Sequence, residues 1–293
     1  MNWQKDLKRE VKFGIALKGK TTFAIGGKAE IFAQPQDLGN LKSLVVMAKK
    51  RKVPIFILGA GSNILVSDKG VKGIVLKLNS PDFKKVSFKG NRAWAGSGVA
   101  LPRLIQEARQ SSLSGLEFLA GIPGSVGGAL IMNAGAWGKS IGDLIEEVQV
   151  MDYNGKIRTL KRSGIKFSYR ASNLDKYIIL GAAFRLSKIN KKNISRNLKN
   201  FLAKRRLTQD NTLPSAGCIF KNPASNSAGR LIDACGLKGR RAGGAVISER
   251  HANFILNKNN ASSSDVLSLM DLARKEVKRK FNITLKPEIR LWV

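Results

Sequence analysis

The chain has 293 residues, with 52 Lys plus Arg against 20 Asp plus Glu and a formal charge of +32. Its 43% hydrophobic fraction excludes a disordered chain, the length predicts about two domains, and the positive charge favours anionic partners. Two cysteines, Cys218 and Cys235, exclude a disulfide framework, and a single histidine, His251, excludes HExxH and His-rich metal chemistry, so no metal is expected.

No apolar run is long enough to span a bilayer, and Met1-Asn2-Trp3-Gln4-Lys5-Asp6 has no apolar signal-peptide core. The expected location is the cytoplasm, without membrane insertion. Between Pro35 and Val53, Leu38, Leu41, Val45 and Ala48 recur at helical spacing. Val53 to Leu58 reads as a buried strand ending at Gly59, and Ile74 to Leu78 as another. Leu101 to Arg109 predicts a short helix with Pro102 in its first turn, where a missing N–H costs little. Val148 to Met151, Ile157 to Leu160 and Ile178 to Leu186 read as strands, with Asn154-Gly155 marking a hairpin turn. No acidic residue occurs from Lys176 to Gln209, and a weak helical period runs through Ile194, Leu198, Phe201 and Leu202. A domain boundary is placed near Ser187. Ser262 and Asp265 form a capping-box pattern before an apolar face of Val266, Met270, Ala273, Val277 and Phe281.

Five segments carry chemistry. Gly59-Ala60-Gly61-Ser62-Asn63 follows a strand, and its glycines let backbone N–H groups approach an anion. Ile64 stands where a dinucleotide fingerprint needs its third glycine, so the segment reads as a phosphate loop of another kind or as a tight turn. Gly121-Ile122-Pro123-Gly124-Ser125, then Gly127, Gly128 and Asn133-Ala134-Gly135, would let a flat ligand lie on bare backbone or let chain pack against chain. Gly138-Lys139-Ser140 imitates the end of a Walker loop, but Asn133 holds the place of its first glycine. Arg170, after Tyr169, is a surface arginine or a carboxylate clamp. Cys218, before Lys221-Asn222-Pro223, is inert packing, a proton donor or a thiol paired with His251. Glu288, in Leu285-Lys286-Pro287-Glu288-Ile289-Arg290, reads alone as an edge-strand acid.

Taken in order, these segments resemble the UDP-N-acetylenolpyruvoylglucosamine reductase family (UDP-N-acetylmuramate dehydrogenases). The matching stretches are TTFAIGG at 21–27, LGAGSNILVSDKG at 58–70, GLEFLAGIPGSVGGALIMNAGAWG at 115–138, FSYRAS at 167–172, SAGCIFKNP at 215–223, GRLIDACGLKG at 229–239, HANFILN at 251–257 and LKPEIR at 285–290. The resemblance implies an α+β chain in three parts. Two lobes, 1–79 and 80–187, make an FAD-binding half of the vanillyl-alcohol-oxidase type, and 188–293 forms a C-terminal substrate-binding domain. The short length resembles the compact second type of the family.

The implied activity is reduction of UDP-N-acetylglucosamine enolpyruvyl ether to UDP-N-acetylmuramate, with non-covalent FAD as cofactor and NADPH as co-substrate. Hydride reaches C3 of the enolpyruvyl group and a proton reaches C2. Charge then builds on the substrate carboxylate, where preorganised positive charge and donors lower the barrier. By resemblance, Arg170 clamps that carboxylate, Glu288 helps polarise or position it, and Cys218 stands where the family's proton donor is most familiar as serine. A thiol is a stronger acid than an alcohol and still suits that task. Gly59 to Asn63 and Gly121 to Ser125 would hold the FAD pyrophosphate, with Gly127, Gly128 and Asn133 to Gly135 along the flavin. Asn222, Arg205 and Arg206 would serve the substrate diphosphate, with Lys204 beside them. Asp210 follows Gln209 where the family has proline, and an acid beside a diphosphate is unhelpful. The implied enzyme is a monomer acting on a small UDP-sugar, with no specific nucleic acid as partner.

Three alternatives stay open at this level. The charge supports a basic nucleic-acid-binding protein, although recognised motifs for that role are absent. Another flavoenzyme of the same fold would keep the glycine segments. A hydrolase using Cys218 and His251 would act without flavin.

Overall fold

The computed structural model describes residues 11–224 and 226–293, so the N-terminal stretch read above for a signal peptide lies outside the described residues. The chain is α+β and divides into two compact units. The first unit holds 11–13, 31–60 and 73–204. The second holds 14–30, 61–72 and 205–293.

The first unit is built on a five-stranded antiparallel sheet. Its order is Ile157–Lys161, Ile145–Met151, Ile178–Arg185, Arg92–Gly96 and Val86–Lys89. Helix α1 (Leu38–Lys50) begins at Asp37, whose Oδ1 accepts from Asn40 N at 2.8 Å. It buries Leu41, Leu44, Val45 and Ala48 beside Ile31, Ile74, Met151 and Ile178. The two sequence lobes therefore share one core. Helix α2 (Leu101–Gln110) carries Pro102 in its first turn and buries Leu101, Leu104, Ile105 and Ala108. Each such leucine contributes about 1.5–3 kcal/mol by leaving water. The short α3 (Val126–Ile131) starts at Ser125. The turn after Met151 contains Gly155 at φ +77°, as Asn154-Gly155 predicts.

Two expectations change. The strand after Val53 covers only Ile55–Ile57 and is not buried: Ile57 is 38% exposed, because the strand pairs in parallel with Val71–Leu76 on one side only. The boundary near Ser187 does not coincide with the compact units. Helix α4 (Lys191–Thr208) packs Leu198 and Phe201 against the first unit's core and buries Ile194, and that unit runs on to Lys204.

The second unit gathers the short α5 (Ala228–Ala234), α6 (Ser263–Phe281) and a sheet of Arg241–Ala242, Ala245–Ile247 and Ile255–Asn257. The capping box at α6 is present: Ser262 Oγ accepts from Asp265 N, and Asp265 Oδ2 accepts from Ser262 N. Val266, Met270, Ala273 and Val277 are buried and Phe281 packs at their edge. This unit is not sequential. Ile64–Val66 pairs in parallel with Arg290–Trp292, and Phe23, Ile25 and Leu65 sit in its core.

Candidate active site

In the first unit, two glycine segments come together. A Cβ on Gly59 would lie 2.7 Å from Ser125 Oγ, and its next neighbours, Ser125 Cβ and Gly128 Cα, are at 3.9 and 4.0 Å. Ser125 Oγ is held as the cap of α3, accepting from Gly128 N at 3.4 Å. In Gly121 to Gly127, the N–H groups of Ile122, Gly124, Val126 and Gly127 go to carbonyls of the protein. Among the described residues, those of Gly121 and Ser125 donate to no protein acceptor.

Packing accounts for some positions read above as flavin contacts. A Cβ on Gly127 would meet Ser97 Cβ at 3.1 Å, and one on Gly135 would meet Lys139 O at 2.3 Å. Asn133 is buried with φ +42°, and its amide donates to Ser168 O at 3.0 Å while its oxygen accepts from Gly142 N at 3.0 Å. The Asn133 side chain thus braces Ser168 and Gly142. Ala134 N–H goes to Ala129 O. Arg170 sits at φ +54° in the two-residue turn between Phe167–Ser168 and Ala171–Ser172, half-buried, with Nη1 on Gly135 O at 2.9 Å. Its guanidinium also lies over the Tyr169 ring.

The segment Gly59 to Asn63 carries the clearest anion-binding chemistry. Among the described residues, none of its five backbone N–H groups donates to a protein acceptor. Gly61 takes φ +72°, and a Cβ there would lie 2.2 Å from Lys20 O. Thr22 N donates to Gly61 O at 3.0 Å, fixing the turn at Gly61. Consecutive undonated N–H groups in a turn form an anion nest.

In the second unit, Cys218 and Glu288 lie on adjoining segments. Glu288 N donates to Ile219 O at 2.8 Å, Lys221 N to Lys286 O at 2.9 Å, and Asn63 Nδ2 to Glu288 O at 3.2 Å. Cys218 is half-buried, bridges Phe254 and packs by Val246 and Leu256. Neither cysteine is in a disulfide, and burial pushes the Cys235 thiol up. Asn222 Oδ1 accepts from Ala228 N at 3.0 Å, holding the start of α5. Arg205 is buried with Nη1 on Gln209 Oε1 at 3.2 Å, and Arg206 O accepts from the Arg250 guanidinium. These contacts tie Arg205 and Arg206 into the protein around the end of α4.

Asp210 is structural. Burial opposes its ionisation, but hydrogen bonds from Ser248 and Thr212 and the nearby Arg250 outweigh it and hold its pKa below the usual carboxylate range. Ser248 Oγ donates to Asp210 Oδ2 at 2.6 Å and accepts from the N–H groups of Arg250 and His251. Burial lowers the pKa of His251, whose Nδ1 accepts from Asn253 N at 3.2 Å.

Residue-by-residue reading missed Asn253 and Asn257. Asn257 Nδ2 donates to Phe23 O at 3.0 Å and its oxygen accepts from Ala261 N at 2.8 Å. Asn253 holds Phe220 N and O at 2.9 and 2.8 Å. Their signal was available: two asparagines inside the apolar run HANFILN, where a buried amide must have partners.

The donor set fits FAD. Five N–H groups without protein acceptors suit a pyrophosphate, and at Gly59 and Ser125 bare backbone adjoins a single hydroxyl. Ser97 Oγ, buried beside Gly127, likewise has no hydrogen-bond partner among the described residues.

Comparison with known proteins agrees. Residues 29–161 match the family described as FAD binding domain, and residues 208–292 match UDP-N-acetylenolpyruvoylglucosamine reductase, C-terminal domain. The chain is similar to the UDP-N-acetylenolpyruvoylglucosamine reductase of Clostridium novyi (strain NT), at 41% identity over 97% of this chain and 92% of that one. It is similar to the crystal structure of the Thermus caldophilus reductase, with 37% identity, a TM-score of 0.84, and coverage of 97% and 99% of the two chains. A glucose oxidase variant of Phl p 4, at 19% identity and TM-score 0.51 over 62% of this chain and 42% of that one, shares the fold alone. The chain belongs to the UDP-N-acetylenolpyruvoylglucosamine reductase family.

Proposed function

We propose that this chain is an FAD-containing oxidoreductase that uses NADPH to reduce UDP-N-acetylglucosamine enolpyruvyl ether to UDP-N-acetylmuramate, a step of peptidoglycan precursor synthesis. Gly59 to Asn63, with Gly121 and Ser125, would hold FAD through backbone N–H groups. FAD held there would supply hydride-transfer chemistry between NADPH and the enolpyruvyl C3. Cys218 gives its proton to C2 and regains one from water. Arg170 binds the substrate carboxylate as negative charge builds there. Glu288 orients the same group. Asn222, Arg205 and Arg206 are assigned to the substrate diphosphate.

The observation that supports these roles is the Glu288 N–H to Ile219 O bond, which puts Glu288 on the segment adjoining Cys218. Arg170 lies in the first unit, and Cys218 and Glu288 in the second. The reading includes a monomer working in the cytoplasm, which light scattering and cell fractionation check.

The test is a visible spectrum of the purified protein followed by NADPH absorbance with and without the enolpyruvyl substrate. Flavin bands with substrate-dependent NADPH loss are expected. Flavin without substrate dependence would refute the substrate. No flavin after adding FAD would refute the reading and favour a basic binding protein, whose binding to unrelated nucleic acid would fall steeply with salt.

A further inference from the structure

We infer that Asn253 is a positioning residue for proton delivery from Cys218, an inference that rests on the reaction proposed above. The segment Cys218–Asn222 is held on one side by 286–288. On the other side it meets Phe254, which bridges Cys218, and Asn253, whose backbone carbonyl accepts from Ile219 N at 2.8 Å. Beyond that point the neighbouring chain belongs to the turn 248–252, and a backbone partner for Phe220 is missing on that side. The Asn253 side chain takes its place. Its Oδ1 accepts from Phe220 N at 2.9 Å and its Nδ2 donates to Phe220 O at 2.8 Å.

One residue, 2% exposed, thus makes three hydrogen bonds to the two residues that follow Cys218. On the opposite side, Ile219 O accepts from Glu288 N. Ile219 is therefore fixed between Asn253 and Glu288, and Cys218 is its immediate neighbour. A carboxamide suits this place because it presents one acceptor and one donor side by side, as a peptide group does. Asn253 is itself held from behind. Its N–H goes to His251 Nδ1, and the turn that carries it is pinned by Ser248 and the buried Asp210. This gives Asp210 a role that needs no contact with the substrate diphosphate.

The test is anaerobic stopped-flow on the FAD-loaded protein. Reoxidation of NADPH-reduced enzyme by the enolpyruvyl substrate is followed for wild type, Asn253→Ala, Cys218→Ala and the double variant. Asn253→Ala is expected to keep the flavin spectrum and the rate of reduction by NADPH, and to slow reoxidation by about 10- to 100-fold, the scale of a 1 Å misplacement. The double variant is expected within about twofold of Cys218→Ala, because a donor that is absent cannot be misplaced. Losses that multiply would overturn the inference.

Should Asn253→Ala not fold, Asn253→Asp decides. Its carboxylate still accepts from Phe220 N but meets Phe220 O without a proton. Once protonated it restores both bonds. Its reoxidation rate relative to wild type is expected to rise as pH falls from about 8 to about 5, and a ratio independent of pH would overturn the inference. If wild type itself is not reoxidised by the substrate, the proposed reaction fails and the inference with it. If wild type turns over and the losses multiply, only the inference fails.

Discussion

Gly59→Ala separates a cofactor role for the glycine segments from a folding role. Gly59 does not have a positive φ, so alanine is allowed by the backbone. The added Cβ would sit 2.7 Å from Ser125 Oγ and meet nothing else inside 3.9 Å. The hydroxyl can rotate away, giving up its 3.4 Å bond from Gly128 N. Losing a serine cap costs about 0.5–2 kcal/mol, and so long a bond belongs at the low end. Replacing glycine by alanine returns about 0.4–1 kcal/mol by restricting the unfolded chain. The two nearly cancel, so the FAD-free protein should melt within about 2–4 °C of wild type. The new methyl and the turned hydroxyl, however, enter the space between Gly59 and Ser125 that we propose for the pyrophosphate. FAD affinity is expected to fall about tenfold or more, or about 1.4 kcal/mol. Flavin fluorescence titration measures the affinity and calorimetry of the FAD-free protein the melt. An unchanged affinity would show that this bare backbone does not serve the cofactor.

Gly61→Ala should act on folding, since φ +72° and a Cβ 2.2 Å from Lys20 O leave no room. A loss of about 2–4 kcal/mol in urea unfolding is expected, and an unchanged midpoint would refute the close approach. Arg170→Ala and Glu288→Gln should keep FAD and lose about 100-fold or more in reoxidation by substrate, and near wild-type rates would remove either residue from the mechanism. Cys218→Ser should stay active while Cys218→Ala slows only that half-reaction, and a normal alanine variant would assign the proton to another group. The Ser262 N–H does most to hold the Asp265 carboxyl below its usual range, with the Gly244 N–H adding to it against burial. A lowered folded pKa gives stability that is present above about pH 4 and lost as pH falls through the folded value. Asp265→Asn should therefore cost about 1 kcal/mol near pH 7 and less at acid pH, and a gap that does not narrow on acidification would refute the assignment.

Local chemistry was legible in the sequence where it is local in space. The α6 capping box spans four residues, and its periodic face is the buried one. The amphipathic pattern of α4 showed that a face is buried but not against what, and Leu198 and Phe201 turned out to pack against the first unit's core. Periodicity also overstated the burial of Ile57, because an apolar run does not show how many strands flank it. The glycine segments were found, but sequence could not sort their members. Gly127 and Gly135 are explained by chain packing, whereas Gly59 is bare except for one hydroxyl. Asp210 and Asn253 act through side-chain bonds 38 and 33 residues away along the chain, which leave no period to read.

The same non-locality decides what can fold alone. Residues 205–293 contain Cys218, Glu288 and most of the second unit, and they lie within the 188–293 stretch that the sequence marks as a domain. Their core, however, includes Phe23, Ile25 and Leu65, worth about 5–9 kcal/mol together at about 1.5–3 kcal/mol each. Arg290–Trp292 would lose Ile64–Val66 as its strand partner. Asn257 Nδ2 would lose both Phe23 O and Ala24 O, a buried amide left unpaired at about 1–3 kcal/mol. Native stability is about 5–15 kcal/mol, so these losses consume most or all of it. A 205–293 fragment is therefore expected to show no cooperative unfolding by near-UV dichroism. A cooperative transition would mean that the segments 14–30 and 61–72 decorate this unit instead of building it.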